Sequence, residues 1–382
     1  MQKGIAKTKV LVALSGGVDS SVAAALLVAS KKYEVTAAFM INFDNKKSGS
    51  ESCWVPDYRD AVRVAAKLGI PLLKLDFQKE YKEKVLDYMF REYEAGRTPN
   101  PDVMCNVYIK FGCWLEKAKE LRFDFLATGH YARLEGTVVH SSSLPSQGRD
   151  REGGLAGIKL LCATDNNKDQ TYFLHGLNQE QLRRTLFPIG NYTKPQVRKL
   201  AEKFDLPTAE KEESMGICFI GEVPMKEFLE TQIKGKIGNV VTTDGTVVGQ
   251  HEGLAFYTIG QRQLGVQSPK FKVQSPVFVV EKRGETNELV VGFEDDSLLF
   301  KKEAGVENVN WVSGQTPKFP LKCEVRLRHR QPLQSAIVVN SLLEEGRGML
   351  SVKFASPQRA VTPGQFAVFY KNGECLGGGA IG

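Results

Sequence analysis

At 382 residues the chain is longer than one typical domain, and two or three are expected. With 42% hydrophobic and 25% charged residues it has the balance of an ordinary folded protein, which excludes a mostly disordered chain, and no apolar run approaches the roughly eighteen residues of a membrane span. The net charge of +7 favours a polyanionic partner; seven scattered cysteines, odd in number and without CxxC spacing, exclude a disulfide framework and imply thiols in a reducing cytoplasm.

Residues 9–14 (KVLVAL) read as a buried strand, 19–30 as an alanine-rich helix and 34–40 (EVTAAFM) as a second strand, a βαβ opening. The alternation continues with a helix near 57–69 ending at Gly69, a strand PLLKLDF, a helix near 79–93, another beginning near Asn106 and running to 121, and a strand FDFLATG. Such alternation predicts a parallel sheet covered on both faces. SSSLPSQGRDREGG, 141–154, reads as a mobile loop between strands. Helical patterns return near 178–187, 193–204 and 224–233, with EKEESMGICFIGEV between the last two. Beyond about residue 235, short β-branched runs separated by DG and RGETN turns predict mostly β structure in two small modules parted near 295. The domain expectation is therefore 1–224, 225–295 and 296–382, with no internal repeat.

The break LSGGVDSS lies where the first strand meets the first helix. A loop at a helix N-terminus aims free backbone N–H groups and a partial positive charge at one spot, which suits phosphate. Gly16 and Gly17 permit close approach, Ser15, Ser20 and Ser21 add hydroxyls, and Asp19 can cap the helix or face a magnesium ion. The stretch matches neither GxxxxGK[ST] nor GxGxxG, so ordinary kinase and dehydrogenase readings fall away. It resembles the SGGxDS pyrophosphate loop of the N-type ATP pyrophosphatases, which implies cleavage of ATP between its α and β phosphates and transfer of adenylate to a substrate oxygen.

Two cysteines have distinctive settings. GRTPNPDVMCNVYIKFG, 96–112, places Cys105 at an expected helix start, where a thiolate is favoured, and Cys218 lies between Gly216 and Gly221 in SMGICFIG. Each can equally be a small core hydrophobe, the reading kept for Cys53, Cys113, Cys162, Cys323 and Cys375.

Taken together, PNPDVMCN, GICFIGE, ATDNNKDQTYFL and the ending TPGQFAVFYKNGECLGGG resemble the tRNA-specific 2-thiouridylase family over nearly the whole chain. The resemblance implies an adenine nucleotide alpha hydrolase-like (Rossmann-like) first domain, a small β-rich central domain and a C-terminal β-barrel like one of the elongation factors. Its ATP site falls on Ala13, Leu14, Ser15, Gly16, Gly17, Val18, Asp19 and Ser20, with Met40 and Gly129 near the adenosine. Target-base contacts fall on Asn100, Pro101 and Asp102; the catalytic pair falls on Cys105 as nucleophile and Cys218 as persulfide carrier, with Asp102 a candidate proton acceptor. Contacts to tRNA fall on Lys168, Asp169, Gln170, Arg328 and His329, where the family more often has a tyrosine in place of the histidine.

The implied substrates are ATP with Mg²⁺, a tRNA anticodon stem-loop with a wobble uridine, and persulfide sulfur from a relay protein or cysteine desulfurase; a cytoplasmic monomer off the membrane is expected. In LKCEVRLRHRQ, alternation puts Lys322, Glu324, Arg326, Arg328 and Arg330 on one strand face, a phosphate rail or simply a solvated face. Three alternatives stay open: another PP-loop tRNA thiolase or amide-forming enzyme; a nucleotide-binding protein that recognises tRNA without modifying it; and an iron–sulfur cluster held by Asp102, Cys105 and Cys218.

Overall fold

The computed structural model describes residues 7–44, 51–136, 157–212, 224–262, 264, 276–340 and 349–382. The predicted loop at 141–154 and the whole GICFIG segment, with Cys218, lie outside the described residues.

The described residues form seventeen strands: β1 (Thr8–Ala13), β2 (Tyr33–Ile41), β3 (Leu72–Asp76), β4 (Phe125–Ala127), β5 (Arg133–Glu135), β6 (Lys159–Leu161), β7 (Thr185–Leu186), β8 (Gly238–Thr242), β9 (Val247–His251), β10 (Phe278–Arg283), β11 (Glu288–Gly292), β12 (Phe300–Trp311), β13 (Leu321–Arg326), β14 (Gln334–Asn340), β15 (Leu350–Arg359), β16 (Phe366–Lys371) and β17 (Glu374–Ile381). They form three sheets. The first is parallel, ordered β3-β2-β1-β4-β7. Val10, Leu11 and Val12 are wholly buried in its middle, as a strand covered on both faces requires. Helix α1 (Val18–Ala29) follows β1, and α2 (Val55–Leu68) stops at Gly69, whose φ of 66° ends the helix in the left-handed conformation. The strand order reverses between β1 and β4, so the carboxyl ends of those two strands flank the crevice where open α/β sheets take ligands.

A four-stranded sheet β10-β11-β8-β9 makes the central unit. In the last, β12-β15-β14-β13-β16-β17 closes through β12–β17 into a six-stranded barrel. The described barrel is closed on itself, and the hairpin β5–β6, from the first unit, adds to it by pairing with β17 at Cys375↔Leu160. One apolar cluster runs from Leu11 and Met40 through Cys105 and Tyr172 to Val368 and Tyr370, so the first sheet and the barrel share a core.

A buried ion pair sits on the same junction. Arg326 of β13 donates from Nη1 to Asp169 Oδ2 at 2.9 Å, and Asp169 also accepts from Thr171 Oγ1 (2.8 Å) and the Ala163 amide (3.0 Å). This corrects the expected basic rail: Arg326 is 9% exposed and turned inward because the segment ending in Asp169 lies across that strand face. His175 packs at the same junction, its ring 5.0 Å from that of Phe366 and its Nδ1 donating to Tyr172 O at 2.7 Å.

Three further expectations are corrected. The pattern at 178–187 divides into a helix Gln179–Arg183 and the edge strand β7. The helix expected near Asn106 begins at Pro101, because Asn100 caps it and a proline suits the first position. Cys53 is exposed rather than core. No described helix is long and apolar enough to cross a membrane.

Removing one partner of a buried pair strands the other charge, at a cost of about 3–5 kcal/mol. Asp169→Ala should therefore lower stability by about that amount in urea unfolding, with the barrel loosening first. Burial depresses His175 from its usual 6.5 to about 4, its hydrogen bond to Tyr172 opposing this only in part. The unfolded chain then takes up the proton before the folded one does, so the stability tied to His175 is full above pH 6.5 and is lost as pH falls towards 4. It totals roughly 3 kcal/mol at about 1.4 kcal/mol per pKa unit. His130 is depressed in the same direction by burial; comparing urea midpoints of wild type and His175→Phe across that window isolates the His175 share, and parallel curves would contradict it.

Candidate active site

The loop after β1 is held open by its own hydroxyls. Ser20 Oγ accepts from the Ser15 amide (3.2 Å), lies 3.1 Å from Ser15 Oγ and donates to Gly17 O (3.1 Å), while Ser21 Oγ donates to the same carbonyl at 2.8 Å. Gly17 occupies the helix cap with no side-chain acceptor, so the first amides of α1 have no side-chain cap. Gly16 has a φ of 79°, and a Cβ there would stand 2.2 Å from Asp57 O at the start of α2. Gly129, just after β4, closes from the other side: its Cβ would lie 2.7 Å from the Ser20 amide nitrogen. Two glycine backbones thus fix the start of α1 at the crevice of the sheet. Ala13 ends β1, Leu14 extends the pairing through its amide to Ala38 O (2.9 Å), Val18 opens the helix, and Met40 lies buried on β2.

Asp19 neither caps the helix nor stands open to a metal. Its carboxylate accepts from Lys194 Nζ (2.8 and 2.9 Å) and from the Tyr131 hydroxyl (2.8 Å). Lys194, at the start of the helix Lys194–Lys203, and Tyr131 were not found by the sequence reading, since nothing local in YTKPQ points 175 residues back to Asp19. The loop offers magnesium one carboxylate, already paired with a lysine, and no group of three His, Cys, Asp or Glu side chains able to hold a metal occurs among the described residues. The described residues at the loop therefore do not build a protein-held metal site.

The second half of the candidate site is the segment entering the helix at Pro101. Asn100 Oδ1 accepts from the Val103 amide (3.3 Å), and the helix Pro101–Met104 passes directly into a π-helical stretch, Cys105–Cys113. Cys105 is wholly buried in the core cluster that also holds Met40. It stands in the second turn, not at the helix start, so the first-turn reason for its reactivity does not apply at that position; a π-helical segment is instead the local irregularity often found at functional sites. Asp102 and Cys105, three apart, share a face of this helix. Asn106 Nδ2 donates to Asp102 O (2.9 Å), while its buried Oδ1 has no partner. Cys218 is outside the described residues, but the flanks of its segment are not: Lys211 Nζ bonds Asp57 (2.7 Å) and Asp60 (2.6 Å), and Phe228 packs on Phe43 and Phe90.

The residues assigned to tRNA come together from segments about 160 positions apart. His329 Nε2 meets Asp169 O at 3.0 Å, and its ring lies 4.5 Å from that of Phe173. Burial lowers the His329 pKa, its bond to that carbonyl opposing. Gln170 Oε1 accepts from the Tyr131 amide (2.9 Å), and Lys168 is half-buried. Arg328 is exposed and donates to Arg359 O (2.8 Å). The Asp169 side chain, 2% exposed, faces the ion pair rather than the surface.

Three family models match in succession: the tRNA methyl transferase HUP domain over residues 8–222, the tRNA methyl transferase PRC-barrel domain over 226–293 and the aminomethyltransferase beta-barrel domain over 301–381. The chain is 45% identical over 384 residues to the tRNA-specific 2-thiouridylase MnmA of Geobacillus thermodenitrificans, covering 100% of this chain and 96% of that one. It is 44% identical over 379 residues to the protein of the same name from Streptococcus mutans, covering 98% and 95%. Among solved structures, the U34-tRNA thiolase NcsA from Methanococcus maripaludis aligns with a TM-score of 0.35 at 18% identity, over 60% of this chain and 67% of that one, too loose a likeness to bear on function. At such identity along its full length, the chain belongs to the tRNA-specific 2-thiouridylase family.

Proposed function

We propose that this protein is a tRNA-uridine 2-sulfurtransferase that adenylates the C2 oxygen of the wobble uridine with ATP and replaces that oxygen with sulfur. The observation that carries the reading is the start of α1, uncapped by any side chain and fixed by Gly16 and Gly129 at the sheet crevice, within a chain of this family. The matched domain descriptions say methyl transferase, but a loop built to hold pyrophosphate has a use when ATP is split and none in methyl transfer.

In this reading the α1 amides with Ser15 and Ser20 hold the β,γ-pyrophosphate, and Lys194 stands beside them through Asp19. The uridine O2 attacks the α-phosphorus and pyrophosphate leaves, so that C2 carries AMP as a good leaving group. The outer sulfur of a persulfide on Cys218 attacks C2, and AMP departs with the original oxygen. The Cys105 thiolate then attacks the inner sulfur of that adduct. The sulfur–sulfur bond breaks, its electron pair goes to the product thiocarbonyl, and Cys105 and Cys218 are left as a disulfide for an external thiol to reduce. Asn100, Pro101 and Asp102 hold the base, and Asp102 takes the Cys105 proton. Magnesium enters with the ATP phosphates as part of the substrate.

Placement supports the cysteine pair: the flanks of the Cys218 segment are tied to Asp57 beside the loop and to the apolar cluster around Cys105. For tRNA, Lys168, Gln170, Arg328 and His329 form the contact patch, while Asp169 acts from beneath by fixing Arg326 and the His329 ring. The division into 1–224, 225–295 and 296–382, a cytoplasmic monomer and a persulfide-donating partner complete the proposal. The matched spans support the division.

Mass spectrometry of nucleosides from tRNA incubated with ATP, a persulfide donor and protein should show 2-thiouridine for wild type and at least about 100-fold less for Cys105→Ser and for Cys218→Ser, the scale expected when a covalent catalyst is removed. Full thiolation by either variant would contradict the two-cysteine route. Gly16→Ala, which forces a Cβ onto Asp57 O at a positive φ, should cut pyrophosphate release by about the same factor while tRNA affinity holds within about twofold. Unchanged release would contradict the cradle.

A further inference from the structure

The base-contact segment is gripped from outside its own domain. Upstream, Arg97 is fixed by Glu92, and downstream Asn100 caps its helix. Between them Thr98 and Pro99 are held by a turn of the barrel. The two amide protons of Gln365 Nε2 go to Thr98 O (2.9 Å) and Pro99 O (3.1 Å), and the Thr98 amide donates to Pro363 O (2.9 Å). The turn is itself pinned to the last strand: Ile381 N donates to Gln365 O (2.7 Å) and Gly364 N to Ile381 O (2.8 Å). Gly364 has a φ of 88°, and a Cβ there would lie 3.0 Å from both N and O of Thr98, so the turn approaches as bare backbone. The central unit adds Thr258, whose hydroxyl is 3.3 Å from that of Thr98. Thr98 and the same turn also border a cavity of about 320 Å³, lined by Lys282, Lys301, Thr362 and Pro363. Thr98 and Pro99 are both buried, and hydrogen bonds from the barrel turn to their carbonyls and to the Thr98 amide hold this segment where it lies.

We propose that Gln365 is a positioning residue of the reaction: through Thr98 and Pro99 the barrel sets the placement of Asn100, Asp102 and Cys105. This rests on the reading of Asn100–Asp102 as the base-contact segment. A misplacement of about 1 Å in a bound substrate is enough to slow an oriented reaction 100-fold without weakening binding, so the expected signature is a fall in kcat at constant KM.

The test uses Gln365→Glu, which keeps the shape and replaces both donors with lone pairs facing two carbonyls, and Gly364→Ala as an independent disturbance. In each, hydrogen exchange at the Thr98 and Val103 amides should speed up about tenfold or more with α1 amides unchanged, and kcat for 2-thiouridine formation should fall about tenfold or more with KM for tRNA within about twofold. Unchanged exchange at Thr98 and Val103 in both variants overturns the clamp. Faster exchange with wild-type kcat, or a loss lying wholly in KM, overturns the positioning role. Failure of the underlying reading is distinct: the wild-type protein would form no 2-thiouridine although the variants lose protection at Thr98.

Discussion

The structure turns on the close approach of backbones at the start of α1. Gly16 meets the carbonyl of Asp57 and Gly129 meets the amide of Ser20 with no room for a side chain at either point. Those contacts leave the first amides of the helix uncapped and facing the crevice where the parallel sheet reverses its order. Helix ends normally acquire a side-chain cap, and here the cap position is a glycine with nothing to donate or accept beyond its backbone. The first-turn carboxylate is held aside by Lys194 and Tyr131, so an entering polyphosphate does not meet an unpaired negative charge.

The barrel is not an appendage to this machinery. The hairpin β5–β6 follows Tyr131, whose hydroxyl bonds Asp19 of the loop after β1, and its second strand pairs with β17, so the loop and the barrel are joined through one short segment. Asp169 and Arg326 lock the same seam beneath the proposed tRNA-contact patch, and Gln365 reaches back to the proposed base-contact segment. The segments proposed to handle nucleotide, base and tRNA thus physically touch one another.

Local requirements were legible in the sequence and long-range ones were not. SGGVDS could be read because a glycine-rich turn between an apolar run and a helix is a local pattern, although the contacts of Gly16 with Asp57 and of Gly129 with Ser20 are not local, and β1 and β2 could be read because buried parallel strands are uniformly apolar. The helix start at Pro101 was misplaced although Asn100–Pro101 carries a cap and a first-turn proline, signals that would have located it. Arg326 followed the period-2 pattern faithfully; the pattern cannot say that Asp169, 157 residues away, covers that face. β7 is too short, at two residues, to have a period, and neither Lys194 nor Gln365 has a neighbour in sequence that marks its partner. The family resemblance supplied the substrate, which composition and charge left as any polyanion.

The central claim is that ATP activates the uridine by placing AMP on its C2 oxygen. The measurement that tests it most directly is mass spectrometry of the AMP released when the wild-type protein thiolates a tRNA whose wobble uridine carries ¹⁸O at C2. The account predicts AMP bearing that ¹⁸O atom in step with 2-thiouridine formation. AMP without the label, or release of ADP and phosphate, would contradict it.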